Sequence, residues 1–159
     1  MIKLIKAAAF KTKINFNLFQ KTSYMIKFNE IKIGDYVLGE YEGKKWEGEV
    51  INLNGDEKQV CLATDVQEFW FETEDLYPLP ISDAALLKLN FVKEVQPDGS
   101  VKYKKGSFRM LIPGPDDFSH MDIWYRDDKR INPNIQYIHQ LQNHYLQMTK
   151  IHLTGEPIS

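Results

Sequence analysis

The chain has 159 residues, a net charge of −2 and a single cysteine. That length suits one domain or two small ones and can bury a core without staples, while one cysteine excludes an internal disulfide framework. With no run of about 18 apolar residues, no membrane-spanning helix is expected, and the reading is of a cytoplasmic chain.

Charge is unevenly placed. Residues 1–28 carry six lysines and no acid, whereas residues 29–159 carry 14 basic and 22 acidic side chains. The opening MIKLIKAAAFKTKINF has no uninterrupted apolar segment of signal-peptide length. Residues 1–28 read as a basic, disordered extension. Met25 opens the pattern that follows, so the first 24 residues read as an upstream extension ahead of a natural start there. The rival reading is a basic amphipathic arm that docks on a partner.

From residue 29 to 80 the chain reads as short strands of a small SH3-like or Tudor-like barrel. IGDYVLGEY is the first, EGKK a hairpin loop, and WEGEVINL the second, with Gly48 marking a bulge or bend. NGDE is a hairpin turn, because Asn54 and Gly55 tolerate positive φ. KQVCLA and EFWFET follow. Phe69 and Phe71 point to one face and Trp70 to the other. EDLYPLP supplies the closing turn and last short strand. Cys61, within an apolar run, reads as a small buried hydrophobe.

Residues 81–155 read as a helix–antiparallel sheet–helix unit, making the whole chain α+β. SDAALLKLNF is a short helix with Ser82 as N-cap, Asp83 at its positive end and Asn90 in the left-handed position beyond it. FVKEV and SVKYK flank the reversal QPDG. SFRMLIP is the third strand and HMDIWYR the fourth, with Met121, Ile123 and Tyr125 opposed to Asp122 and Trp124; DDKR then turns. In the final helix Asn132 is the expected cap, Pro133 the first helical residue, and Ile135, Ile138, Leu141, Tyr145 and Met148 form the apolar stripe.

Three segments, Ile33-Gly34-Asp35-Tyr36-Val37, PLPISDAALLKLNF and YIHQLQNHY, resemble a group of small proteins from Bacteroidetes genomes, their phages and prophages. That group has a barrel-like N-terminal half and a C-terminal helix of the HQLQN type. Asn90 stands where the group usually has glycine, and both suit a left-handed cap. Met148-Thr149-Lys150 replaces the Leu-Thr-Gly that usually ends the helix, and LTGEP comes later, so the helix is expected to run about one turn longer. The resemblance implies architecture and a mobile-element origin, and no activity.

Several constellations compete as functional sites. Tyr41, Trp46, Trp70 and Tyr77 could form a groove on the barrel that cages a cation or seats a proline-rich peptide, or they could pack its ends. Glu40, Glu42, Glu47 and Glu49 make an acidic hairpin, read as a solvated edge rather than a cation site. His139, Gln142 and Asn143 on the last helix could bond a partner or tie the helix to its own sheet. Lys102, Lys104, Lys105 and Arg109, interleaved with Tyr103 and Phe108, resemble a weak single-strand nucleic-acid face. The acidic balance of residues 29–159 argues against phosphate binding by net field.

His139 and His144 are five apart and do not share a helix face, so no metal site is read. There is no GxSxG elbow, P-loop or dinucleotide fingerprint, and no cofactor is expected. These observations point to a non-enzymatic protein that binds a protein partner through the barrel groove and its junction with the second domain. The alternative is a nucleic-acid or nucleotide-binding accessory factor using strand 102–109.

Overall fold

The computed structural model describes residues 2–4 and 24–156. The chain divides into two compact units, Met1–Leu79 and Pro80–Ser159. Both are strand-rich, and the α+β class holds.

The first unit is built on antiparallel strands β2 (Tyr36–Tyr41), β3 (Lys44–Asn54), β4 (Gln59–Ala63), β5 (Glu68–Glu72) and β6 (Leu76–Tyr77), in the order β5-β4-β3-β2-β6. A single 3-10 turn, Thr73–Asp75, leads into β6. β1 (Ile2–Leu4) lies parallel to β5, with Lys3 opposite Phe69. The acid-free composition of the N-terminus contains no signal for that pairing. The rest of the proposed extension, residues 5–23, lies outside the described residues.

Among the described residues no ladder joins β6 or β2 back to β5. The sheet is therefore open, where the sequence pattern suggested a closed barrel. Its core combines Val37, Val50, Val60, Leu62, Phe69 and Phe71 with Ile26 and Ile31 from the segment before β2. Alternate residues of each strand face this core, as the two-residue period of a strand requires.

Turn chemistry departs from expectation in three places. The β2–β3 loop is only Glu42-Gly43, with φ of 53° and 76°, so Lys44 and Lys45 belong to the strand. Consecutive positive φ values match the right-handed twist of a hairpin, and glycine supplies one at no steric cost. The Asn54 side chain accepts from the N–H groups of Asp56 and Glu57 (both 3.1 Å), and the positive φ falls instead on Lys58. The register shift lies between Val50 and Asn52, beyond Gly48.

The second unit carries α1 (Asp83–Lys88), the sheet β7 (Val92–Val95), β8 (Val101–Lys105), β9 (Phe108–Ile112), β10 (Asp122–Tyr125) and β11 (Asp128–Ile131), and α2 (Ile138–Thr149). The strands follow one another as an antiparallel meander, β7-β8-β9-β10-β11. Ser82 Oγ accepts from Ala85 N (3.1 Å) and Asn90 has φ 63°, as the sequence suggests for α1. The fifth strand, β11, is an addition: the chain turns at Arg126 and Asp127, and the rest of DDKR runs on as an exposed edge.

α2 begins at Ile138, later than the expected start at Pro133. Asn132 and Asn134 both take positive φ (42° and 63°), so the chain around Pro133 is not helical. Asn132 instead receives the Met121 N–H on its side chain and donates its own N–H to Asp122 (3.4 and 3.1 Å). Gln140 Oε1 accepts from the N–H groups of Gln136 and Tyr137 (2.9 and 3.1 Å), which satisfies donors at the true helix start. The helix stops at Thr149, with Lys150 left-handed (φ 65°), and does not run a further turn.

Both helices cover one face of this sheet. The Phe108 ring lies 4.7 Å from that of Tyr145 in α2 and 6.3 Å from that of Phe91 just after α1. Tyr103 Oη donates to Asp83 in α1. Core-facing Val101, Tyr103, Phe108, Met110, Ile112 and Ile123 are almost wholly buried.

Gly39 exposes the tightest point of the first unit. A Cβ there would sit 2.6 Å from Phe71 Cζ. Gly39→Ala is expected to destabilise the protein by about 1–3 kcal/mol through overpacking, read from a urea melt.

Candidate functional site: the outer face of the second sheet

The face of the β7–β11 sheet turned away from the helices carries its exposed and half-buried side chains. Strand pairing aligns Lys104 with Arg109, Arg109 with Trp124, and Trp124 with Lys129. Directly opposed residues share a face, so three cations and an indole form one row across four strands. A second row places Glu94, Lys102 and Leu111 beside it. Between the β7–β8 turn and Trp124, Arg109 and Trp124 of the first row and Lys102 and Leu111 of the second line an open groove of about 470 Å³. Its walls are Gln96, Pro97, Asp98, Ser100, Lys102, Arg109, Leu111 and Trp124.

The electrostatics of the groove follow from its hydrogen bonds. Lys104 Nζ pairs with Glu94 (2.6 Å), which holds the Glu94 carboxyl below its ordinary range. Asp98 Oδ1 accepts from the hydroxyl and the N–H of Ser100 (2.6 and 2.9 Å), so Asp98 also stays ionised at one end. Lys102 and Arg109 make no ion pair among the described residues. Arg109 Nη2 donates to the Arg126 carbonyl at 3.3 Å, while its buried Nε meets no acceptor among the described residues. Lys129 Nζ stands 4.7 Å over the Trp124 ring.

The basic group read from the sequence is thus divided. Lys102, Lys104 and Arg109 face outward. Lys105 is buried, 6% exposed, and its ammonium donates to the carbonyls of Leu89 (2.7 Å) and Thr154 (2.6 Å). Burial lowers its pKa. Tyr103 and Phe108 face the core, and Trp124 takes the aromatic place on the outer face. Its signal was present in the alternation of HMDIWYR, where a large aromatic stands on the polar side of a strand.

The aromatic set of the first unit does not converge either. Tyr41 packs on the core beside Phe69, with ring centroids 5.8 Å apart. Trp46 is paired with core-facing Gly39 and so shares that face, with Lys44 Nζ 4.2 Å over its ring. Trp70, between Phe69 and Phe71, points the other way, as does Tyr77 after core-facing Leu76. Tyr77 Oη donates to Glu40 (2.7 Å), Lys45 Nζ lies 4.2 Å over its ring, and burial followed by Glu40 pushes the phenol pKa up. Trp70 and Tyr77 stand on β5 and β6, at opposite ends of the antiparallel order.

On α2, His139 and Gln142 are buried, 1% and 0% exposed, so neither offers a surface contact. The Tyr137 ring stacks on His139, and Gln142 Nε2 donates to the Leu153 carbonyl (3.1 Å). Asn143 is half-buried. Cys61 is fully buried, and its thiol pKa is raised by burial and by Glu68. No group of three or more His, Cys, Asp or Glu side chains among the described residues is placed to hold a metal ion. Nor is any described helix long and apolar enough to cross a membrane.

Charge separates by unit. The first unit, Met1–Leu79, carries 10 basic and 13 acidic side chains, and the second, Pro80–Ser159, carries 10 basic and 9 acidic. The acidic balance of the chain therefore belongs to the first unit, and the groove sits in a unit of net charge +1. No protein-family model, curated protein or solved structure matches the chain.

Lys105→Ala is expected to cost about 2–4 kcal/mol in a urea melt, because two carbonyls lose a charged donor. Lys102→Ala, on the outer face, is expected to change stability by less than about 0.5 kcal/mol.

Proposed function

We propose that the chain is a non-enzymatic interaction protein whose partner seats in the outer groove of the second sheet. One observation carries this reading: Lys102, Arg109, Leu111 and Trp124 converge on one open groove. Its volume of about 470 Å³ falls within the size class of binding clefts. Lysine, arginine, indole and leucine side chains supply charge, stacking and apolar contact with which to hold and orient a ligand. The one carboxylate in the groove, Asp98, is engaged by Ser100.

The first unit serves as a second module of SH3-like type. Support comes from the order β5-β4-β3-β2-β6 and from the 3-10 turn before a short last strand. Together with the resemblance to Bacteroidetes and phage proteins, this favours a phage- or prophage-encoded cytoplasmic factor. A protein partner on the aromatic set of the first unit is the competing arrangement. It is disfavoured because strand register sends Tyr41 and Trp46 to one face and Trp70 and Tyr77 to the other.

The test is retention from an extract of the source cells on immobilised protein. Wild type and Tyr77→Ala are expected to retain the same component, and Arg109→Glu and Trp124→Ala to lose it while keeping the wild-type melting curve. Loss on Tyr77→Ala or Trp70→Ala, with Arg109→Glu unaffected, would return the site to the first unit.

A further inference from the structure

We infer that the occupant of this groove is a short segment of single-stranded nucleic acid, an assignment that rests on the binding role proposed above. The row Lys104, Arg109, Trp124, Lys129 crosses four strands at consecutive register positions. At roughly 4.8 Å per strand the row spans about 14 Å, room for a few nucleotides and no more. An indole set between cations matches the two chemistries of a single strand: a base with a π-face to stack, and phosphates to neutralise. Lys129, which covers the indole, is an exposed side chain on an edge strand and can move aside to meet a phosphate.

The polar details set an orientation. Arg109 lines the groove, and beyond the Nη2 bond to the Arg126 carbonyl its guanidinium has further terminal N–H groups to give to a phosphate oxygen. Lys104 is already held by Glu94, which leaves Lys102, Arg109 and Lys129 as the cations that meet phosphate. Ionised Asp98 closes one end and directs the backbone toward Arg109 and Lys129. Leu111 and Pro97 give the base an apolar floor beside Trp124. A run of Asp and Glu could satisfy the three cations but brings no aromatic face to stack on the indole, which favours nucleic acid.

The experiment titrates fluorescein-labelled dT12 into the full chain at 50–300 mM NaCl, with a twelve-residue polyglutamate peptide and a DNA duplex in parallel. Saturable binding of dT12 is expected, tighter than duplex or peptide. Three phosphate contacts predict a slope of about −2 in log affinity against log salt. Trp124→Ala is expected to weaken binding by about 5- to 150-fold and Trp124→Phe to restore much of it. Lys102→Glu with Arg109→Glu is expected to abolish binding with an unchanged melting curve, a control that stands if Trp124→Ala unfolds. Polyglutamate bound as tightly as dT12, or dT12 binding indifferent to Trp124→Ala and to the charge reversal, overturns the nucleic-acid assignment. If polyglutamate binds and dT12 does not, the assignment fails while the groove keeps its binding role. If neither probe binds and extract retention is also indifferent to Arg109→Glu, both readings fail.

Discussion

A buried ammonium organises the second unit. Lys105 ends β8 on the face that packs inward, and it reaches the carbonyl that closes α1 and a carbonyl of the C-terminal segment. An unpaired charge in that position would be prohibitive, so the two carbonyls must be held where they are. Neighbouring bonds repeat the constraint: Asn90 donates to Gly155, and Gln142 to Leu153. Helix α1, the C-terminal segment and α2 are thereby committed to one face of the sheet. Because that face is fully used, the outer face is the one left for solvent or a ligand. Sequence neighbours Lys104 and Lys105 differ in role only because a strand sends them to opposite sides.

The net charge of −2 conceals this arrangement. Averaged over the chain, the acids seem to forbid any phosphate ligand. Resolved by unit, they cluster in residues 29–79, where Glu40, Glu47 and Glu49 also occupy the outward positions of a β-hairpin. At physiological salt, exposed charges are screened over about 8 Å, so local rather than total charge governs a small groove. The balance of attraction is then decided by which carboxylates near the groove are already occupied. Glu94 and Asp98 both are.

Much of the local structure was legible. Ser82, Asp83 and Asn90 marked both ends of α1, and QPDG marked the β7–β8 reversal, because capping and turn preferences act within a few residues. The strand β11 was not legible: all four of its residues are exposed, so it carries no buried alternation. The start of α2 was misplaced because Asn-Pro resembles a cap followed by a first turn, while left-handed Asn132 is held instead by tertiary bonds to Met121 and Asp122. The aromatic set of the first unit was separable in principle. Phe69 and Phe71 in the core already turn Trp70 outward, and Val37 in the core turns Tyr41 inward. The groove was half legible. Trp124 stood on the polar side of its strand, but its alignment with Arg109 needed the register of the meander. The bond from Lys105 to residues 16 and 49 positions away had no local signal at all.

The edge strand β7 presents Val92 and Val95 to solvent, 59% and 64% exposed, beside an open row of backbone groups. Such an edge invites a second copy to add its own β7 antiparallel. A two-fold axis perpendicular to the sheet keeps each side chain on its own face, so some residue must then oppose its own twin. In the two centred registers that residue is Lys93 or Glu94. Either choice sets like charges directly across the new ladder, while each already has an opposite partner at home, Asp83 and Lys104. The two charged residues between the valines of β7 thus guard this edge against pairing with its own copy.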